Sequence, residues 1–290
     1  MLSLHTNNAA LSAQNSISRT QSALSTSMTR LSTGFRINSA MDDAAGLQIA
    51  SRLKAQTSGM AVAMRNTQNS TSMLQTAEGA LDEVSNMLVR MKDLATQAAD
   101  ASSTTDDKTA MQSEYDALGQ ELSNVLKNTT FAGTKLLAGD TGTNGTIAST
   151  AGMTFQIGAS SSETMAVDLS TDMASLVTDV GSATSNYATA GAGTELTSAA
   201  NATIGSLETA LASVGKVRSG LGAAANRLEH VYNNLANIST NSKAATGLIM
   251  DVDFATESSN MTSSQMLLQA GTAMLKQTNS MSSMVMSLLQ

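Results

Sequence analysis

Residues 207–235 read LETALASVGKVRSGLGAAANRLEHVYNNL, and within them Leu207, Val214, Leu221, Leu228 and Leu235 recur every seventh residue. An apolar repeat of seven held over five positions marks a long helix that buries one stripe against other helices. Ile204, Leu211, Ala225 and Tyr232 flank the row and widen it into a face. The same period recurs upstream. Leu74, Leu81, Leu88 and Ala95 alternate with Ala77, Val84, Met91 and Ala98, and the stripe extends back through Met60 and Ala63. One helix over residues 42–98 follows, about 85 Å long at ~1.5 Å per residue. A third helical stripe runs through Met111, Tyr115, Leu118, Leu122 and Val125. Thr105, Asp106 and Asp107 supply its expected cap and acidic first turn.

Both chain ends carry the period too. Ala10, Ile17, Leu24 and Leu31 are spaced by seven, with Met28 and Phe35 on an interleaved row. Leu267, Met274, Met281 and Leu288 repeat it at the other end, beside Met261, Leu268 and Leu275. Two helices of such small and polar make-up are marginal alone, because helix stability comes largely from burying an apolar face. The ends are therefore expected to order on self-association. The expected assembly seam is Ile17, Leu24, Met28, Leu31 and Phe35 with Leu267, Met274, Leu275, Met281 and Leu288.

Between the helices, Gly and Thr cluster in GDTGTNGT (139–146), and short alternating pieces follow in MTFQIGA (153–159) and TMAVDLS (164–170). These read as two or three strands joined by turns, and GSATSNYATAGAGTE (181–195) reads as a loop. A chain that leaves by one long helix, makes a small β excursion and returns by another brings its ends together. The fold class is mainly α: a long antiparallel helical coiled-coil bundle with a β-hairpin, terminal helices pairing N with C. Residues 1–44 with 251–290 are the expected inner coiled-coil domain. Residues 45–178 with 196–250 are the expected outer bundle, its hairpin at about 129–178 and a loop at 179–195, with no large further domain.

Composition narrows the function. The 290 residues include 4 Phe, 3 Tyr and no Trp, so the rings that usually dominate core burial are scarce and 19 Met take their place. A net charge of −7 with no Lys/Arg-rich run argues against nucleic acid. No stretch has the charged and apolar pattern of a secretory signal or the ~20 apolar residues of a membrane span. Absence of Cys excludes disulfides and thiolate metal sites, and absence of Pro, against a norm of ~5%, suits uninterrupted helices in a chain that must be threaded and then folded promptly.

Catalytic constellations are not found. His5 and His230 are far apart, and neither lies in a metal-binding helical pair. The glycines at 139, 142 and 145 lack the following Lys-Ser/Thr of a phosphate loop, and Gly133 and Gly139 flank Lys135 without forming an anion cradle. Asp42 with Asp43, Asp106 with Asp107, and Asp251 with Asp253 have no partner His, and helix capping explains them more simply. No enzyme and no cofactor is expected. The methionines of the last helix suit a promiscuous binding surface as well as a seam.

The stretch LSTGFRINSAMDDAAGLQIA (31–50) places Arg36 and the pair Asp42–Asp43 among small and apolar residues. Gly34 and Gly46 permit bends, and Asn38, Ser39, Asp42 and Asp43 are suited to stop one helix and cap the next. The residues Arg36, Asn38, Asp42, Asp43 and Asp253 are read as a joint, with Arg36 expected to pair with an acidic residue such as Asp251, Asp253 or Glu257 on the returning chain or on a neighbouring subunit.

This stretch closely resembles the N-terminal signature of bacterial flagellins, through Arg36 to Ala40 and Asp42 to Gly46. The segment VDFATESSNMTSSQMLLQAGTAMLKQTN (252–279) is similar to that family's closing region, and FAGTKLLAGD (131–140) and FQIGA (155–159) to its strands. The resemblance implies a structural subunit of the flagellar filament, secreted and serving swimming or swarming. It implies terminal helices in an inner layer around the export channel, with the three longer helices outside. The chain would leave unfolded through the flagellar type III apparatus with an export chaperone. It would polymerise with itself, alone or alongside other flagellins, under a filament cap and beyond hook-filament junction proteins.

LVRMKDLATQAA (88–99) resembles the segment by which many flagellins meet the vertebrate flagellin-sensing Toll-like receptor, with Arg90 and Leu94 in contact positions and Glu114 on the neighbouring helix. Thr246-Gly247-Leu248-Ile249 and Ser282-Ser283-Met284 depart from the family's usual C-terminal residues. The start MLSLHTN looks more like lateral, swarming-type members. A hook-filament junction protein, which shares flagellin-like ends, is the alternative.

Overall fold

A computed structural model describes residues 7–137, 145–149, 152–187, 191 and 193–288, with side chains up to residue 281. His5, Gly139 and Gly142 lie outside the described residues, as do the side chains of Met284, Met286 and Leu288. The helices are α1 (Asn8–Thr33), α2 (Ala44–Ala99), α3 (Thr105–Asn128), α4 (Ser170–Ala183), α5 (Glu195–Ser198), α6 (Ala200–Met250) and α7 (Phe254–Leu288). Strands β1 (Thr130–Phe131) and β2 (Thr134–Lys135) form one antiparallel pair, and β3 (Met153–Gln156) and β4 (Thr164–Val167) a second.

By contacts the chain divides into two compact units, residues 58–239 and residues 1–57 with 240–290. The division falls inside α2 and α6 rather than at 44 and 251. Helix caps mark where the chain turns, whereas the units are separated by where packing changes, and an uninterrupted helix can serve both.

The unit of residues 58–239 holds the main core. On α2, residues 74, 77, 81, 84, 88, 91, 95 and 98 are all buried, as are 207, 214, 221 and 228 on α6. Met111, Tyr115, Leu122 and Leu126 join them from α3. Thr104 caps α3 by accepting from Asp107 N–H, while the Asp107 carboxylate accepts from Thr104 N–H at 3.1 Å. The cap is therefore one residue earlier than the expected Thr105.

The β excursion is smaller than expected. Thr130 pairs with Lys135 and Phe131 with Thr134, so the turn is Ala132-Gly133, with φ of 50° and 84°. Positive φ at both turn residues matches the twist of the flanking strands, and Gly133 adopts it freely. The second hairpin pairs Met153 with Val167 and Phe155 with Met165, turning Met153, Met165 and Val167 into the core. Residues 170–183, given to the hairpin and loop by the sequence reading, form α4 instead. Met173, Leu176, Val180 and Ala183 recur at helical spacing and are buried, and that pattern outweighs the Thr and Gly around it.

Residues 184–187 and 193–196 are not a free loop. Gln112, buried on α3, donates to Asp116 at 2.7 Å and to Glu195 at 2.8 Å, while its amide oxygen accepts from Leu196 N–H at 2.7 Å. Glu195 also accepts from the N–H and hydroxyl of Ser185, and Asp116 from Asn186 and from Gly193 N–H. Tyr115 donates to Ala183 O at 2.5 Å. These bonds clasp the segment to α3.

In the other unit, α1 and α7 pack antiparallel along the chain ends. Arg30 lies against Glu257, Ile17 opposite Gly271, and Asn7 donates to Thr278 O.

Candidate functional site

The terminal helix pair and its joint gather most of the expected site residues. On α1 the face turned to α7 is Ala10, Ala13, Ile17, Thr20, Leu24, Ser27 and Leu31, closing at Gly34, with Ser27 buried and the others half-buried. On α7 the matching face is Glu257, Met261, Ser264, Leu268, Gly271, Leu275 and Thr278. Both run in alternating steps of three and four, which is the geometry of a two-helix seam. Close approach explains the small residues, since a Cβ on Gly271 would lie 2.9 Å from Ile17 Cγ1.

Within the chain the expected assembly-seam residues divide between two faces. Ile17, Leu24, Leu31 and Leu275 face the partner helix. Met28, Leu267, Met274 and Met281 do not: each is more than half exposed, and Phe35 is 44% exposed. The interleaved row on α1 is Ala13, Thr20 and Ser27, not Met28 and Phe35. Hydrophobicity alone ranks Met and Phe above Thr and Ser, but only small side chains let the two backbones come close. The large residues flank the seam, at 28 on α1, at 35 just beyond its end, and at 267, 274 and 281 on α7, and no element of the described chain covers them.

The joint is built from caps. Gly34, at φ 75°, ends α1 by donating its N–H to Arg30 O. Phe35 then bridges to Asp251: Arg36 N–H donates to Met250 O at 2.6 Å, and Val252 N–H to Gly34 O at 3.0 Å. Asp42 accepts from the N–H groups of Asn38 and Ser39 at 3.1 and 2.9 Å, and Asn38 donates to Phe35 O. Those backbone bonds, Ser39's first, hold the Asp42 carboxyl below the ordinary carboxylate range. Asp43 caps α2 by accepting from Gly46 N–H at 2.8 Å. Asp253 caps α7, accepting from the Thr256 hydroxyl at 2.6 Å and Ala255 N–H at 3.1 Å, and these bonds lower its pKa as well.

Within the chain Arg36 meets a backbone acceptor. Its guanidinium donates to Ile249 O at 2.9 Å instead of to Asp251, Asp253 or Glu257. Asp253 is occupied with capping, and Glu257 is met by Arg30 at 3.7 Å from within the seam. Arg30 escapes a sequence reading because a lone charge beside an apolar stripe reads as solvent-facing; its position three residues after Ser27 puts it on the buried side.

Residues 88–114 form a second candidate surface. Arg90 on α2 donates to Glu114 on α3 through Nε at 3.0 Å and Nη2 at 2.7 Å, with both side chains about half exposed. Leu94, placed among the contact residues, is instead 3% exposed and belongs to the core. It falls on the stripe with Met91 and Ala98, so a partner reaching this surface meets Arg90 and Glu114.

His230 is exposed on α6. Among the described residues no three His, Asp or Glu side chains gather as a metal site, and no helix is long and apolar enough to cross a membrane.

The bacterial flagellin N-terminal helical region matches residues 4–141, and the bacterial flagellin C-terminal helical region matches residues 204–289. The chain is 33% identical to flagellin A of Vibrio anguillarum, with 100% of both proteins covered. It is 38% identical over 266 residues to a flagellin of Halalkalibacterium halodurans, covering 91% of this chain and 90% of that one. The crystal structure of Bacillus cereus flagellin is similar at 30% identity and a TM-score of 0.44, over 63% of this chain and 94% of that one. The alignment with the Vibrio anguillarum protein runs over 386 positions, more than the 290 residues here, so that relative carries segments this chain lacks.

Proposed function

The chain belongs to the bacterial flagellins, the structural subunits of the extracellular flagellar filament, and from that premise we propose how it assembles. Neighbouring subunits cover the residues that flank the α1–α7 seam: Met28 on α1, Phe35 just beyond its end, and Leu267, Met274 and Met281 on α7. The observation carrying this reading is that the two helices satisfy one face with each other and leave large apolar residues, spaced by seven, in solvent. Burying each such side chain between copies contributes roughly 1.5–3 kcal/mol, repeated at every subunit of the polymer. The exposed Leu and Met side chains of α7 also suit a transient export chaperone, whose place the neighbouring subunit then takes.

Export through the flagellar type III apparatus fits a chain without Cys or Pro, which has neither a cross-link to thread nor a prolyl isomerisation to wait for. The cap and hook-filament junction proteins are the expected contacts at the two ends of the polymer. The work of the chain is structural: the family is one of filament proteins, and Asp42, Asp43, Asp107 and Asp253 serve turns and helix caps.

Polymerisation on filament seeds, followed by electron microscopy, tests the assembly surface. The pair Leu267→Ser and Met274→Ser is expected to leave the helicity of the free subunit unchanged and to abolish long filaments. Normal filaments from this variant overturn the reading.

For the host receptor, the Arg90–Glu114 pair is the exposed feature, and the flagellin-sensing Toll-like receptor is its proposed partner. Arg90→Asp places two carboxylates side by side and is expected to lower receptor signalling at least about tenfold, as loss of a central interface Arg does. Undiminished signalling counts against the assignment.

A further inference from the structure

Among the described residues the methionines differ widely in environment, and Met41, in the turn between α1 and α2, is 97% exposed. Met60, Met91 and Met173 are at most 2% exposed within the core of residues 58–239, whereas Met28, Met266, Met274 and Met281 stand more than half exposed on the terminal helices. The chain has no Cys, so the thiols that ordinarily react first with an oxidant are missing and the thioether is its only sulfur. The exposed set lies on or directly beside the rows that assembly covers.

We propose that Met28, Met266, Met274 and Met281 are oxidation sites of the free subunit, and that their conversion to the sulfoxide by a peroxide bars the subunit from the filament. This rests on the assembly surface described above. In the reaction the sulfur lone pair attacks one peroxide oxygen, the O–O bond breaks and an S–O bond forms; the thioether is oxidised by two electrons and hydrogen peroxide is reduced to water. The product is a polar group with a strong acceptor oxygen where an apolar contact is required. Burying it without a donor carries the desolvation penalty of an unpaired polar group. Once assembled, the same side chains are shielded and react slowly. Oxidation thus selects against damaged subunits before they are added and spares the finished polymer.

The test uses the full chain. Free subunits and filaments grown on seeds are exposed separately to dilute hydrogen peroxide, and sulfoxide at each methionine is read by peptide mass spectrometry, with Met91 and Met173 as internal references. Oxidation of Met274 and Met281 in the free chain is expected to be at least about tenfold faster than at the references, and to fall towards them in the filament. Pre-oxidised subunits are expected to elongate seeds at less than about a tenth of the untreated rate, with recovery after treatment with methionine sulfoxide reductases. The variant M28L/M266L/M274L/M281L retains apolar side chains and is expected to elongate equally with and without peroxide. If these methionines oxidise as fast in filaments as in free subunits, the assembly surface itself is wrong. If they are shielded in filaments but pre-oxidised subunits elongate normally, or the leucine variant remains peroxide-sensitive, the surface stands and the oxidation proposal is overturned.

Discussion

Single residues in the joint do chain-turning work with short polar bonds. Asp42, Asp43 and Asp253 each satisfy backbone N–H groups that a turn or helix start leaves free, which is why charges appear where the chain is otherwise apolar. Arg36 contributes one exposed hydrogen bond to Ile249 O. Its removal is therefore mild for the isolated subunit: Arg36→Ala is expected to shift the melting temperature by less than about 3 °C. Filament growth is expected to slow at least about tenfold, because a guanidinium desolvated between subunits leaves its partner unpaired when lost. Equal thermal destabilisation with normal growth overturns this. The positions of the caps were legible in the Asp, Ser and Asn pattern. The partner of Arg36 was not, since a guanidinium reaches any acceptor within its arc and only the return path of residues 247–252 decides which one.

Among the elements, the clasp between α3 and residues 184–187 and 193–196 is the part least visible in the sequence. Gln112, Asp116 and Glu195 are single polar residues without period, and they meet across more than seventy residues of chain. Burial pushes the Glu195 carboxyl up, but the N–H and hydroxyl of Ser185 and the Gln112 amide outweigh it, so its pKa lies below the ordinary 4.5. A carboxyl lowered by folding contributes stability that is full above its unfolded value and is lost as pH falls through the folded one. Amide exchange at Ser185, Gly193 and Leu196 is accordingly expected to be slow near pH 7 and to accelerate, after correction for intrinsic rates, as the pH falls below about 4. Glu195→Gln is expected to flatten that dependence; an unchanged profile in this variant counts against the clasp. Helix α4 escapes a sequence reading for a related reason, because TMAVDLS alternates like a strand up to the first residue of a helix whose apolar spacing begins only at Met173.

Over the whole molecule, burial is unequal. Twelve residues of α6 are buried, all within residues 58–239, whereas α1 buries only Ser27. The free subunit is expected to show strong amide protection in α2, α3 and α6 between residues 58 and 239. In α1 and α7 it is expected to exchange at least about a hundredfold faster, with the difference disappearing in filaments. Equal protection of the ends and the core in the free chain overturns this. The sequence by itself determined the long helices, their seven-residue stripes, the antiparallel pairing of the ends and the family, because periodicity and caps are local and survive in a one-dimensional reading. Tertiary structure decided which of two apolar rows on each terminal helix meets the other helix. Both rows repeat every seven residues, and the packing of Ile17 against Gly271, with Ser27 buried, selects one and leaves Met28, Leu267, Met274 and Met281 for another copy.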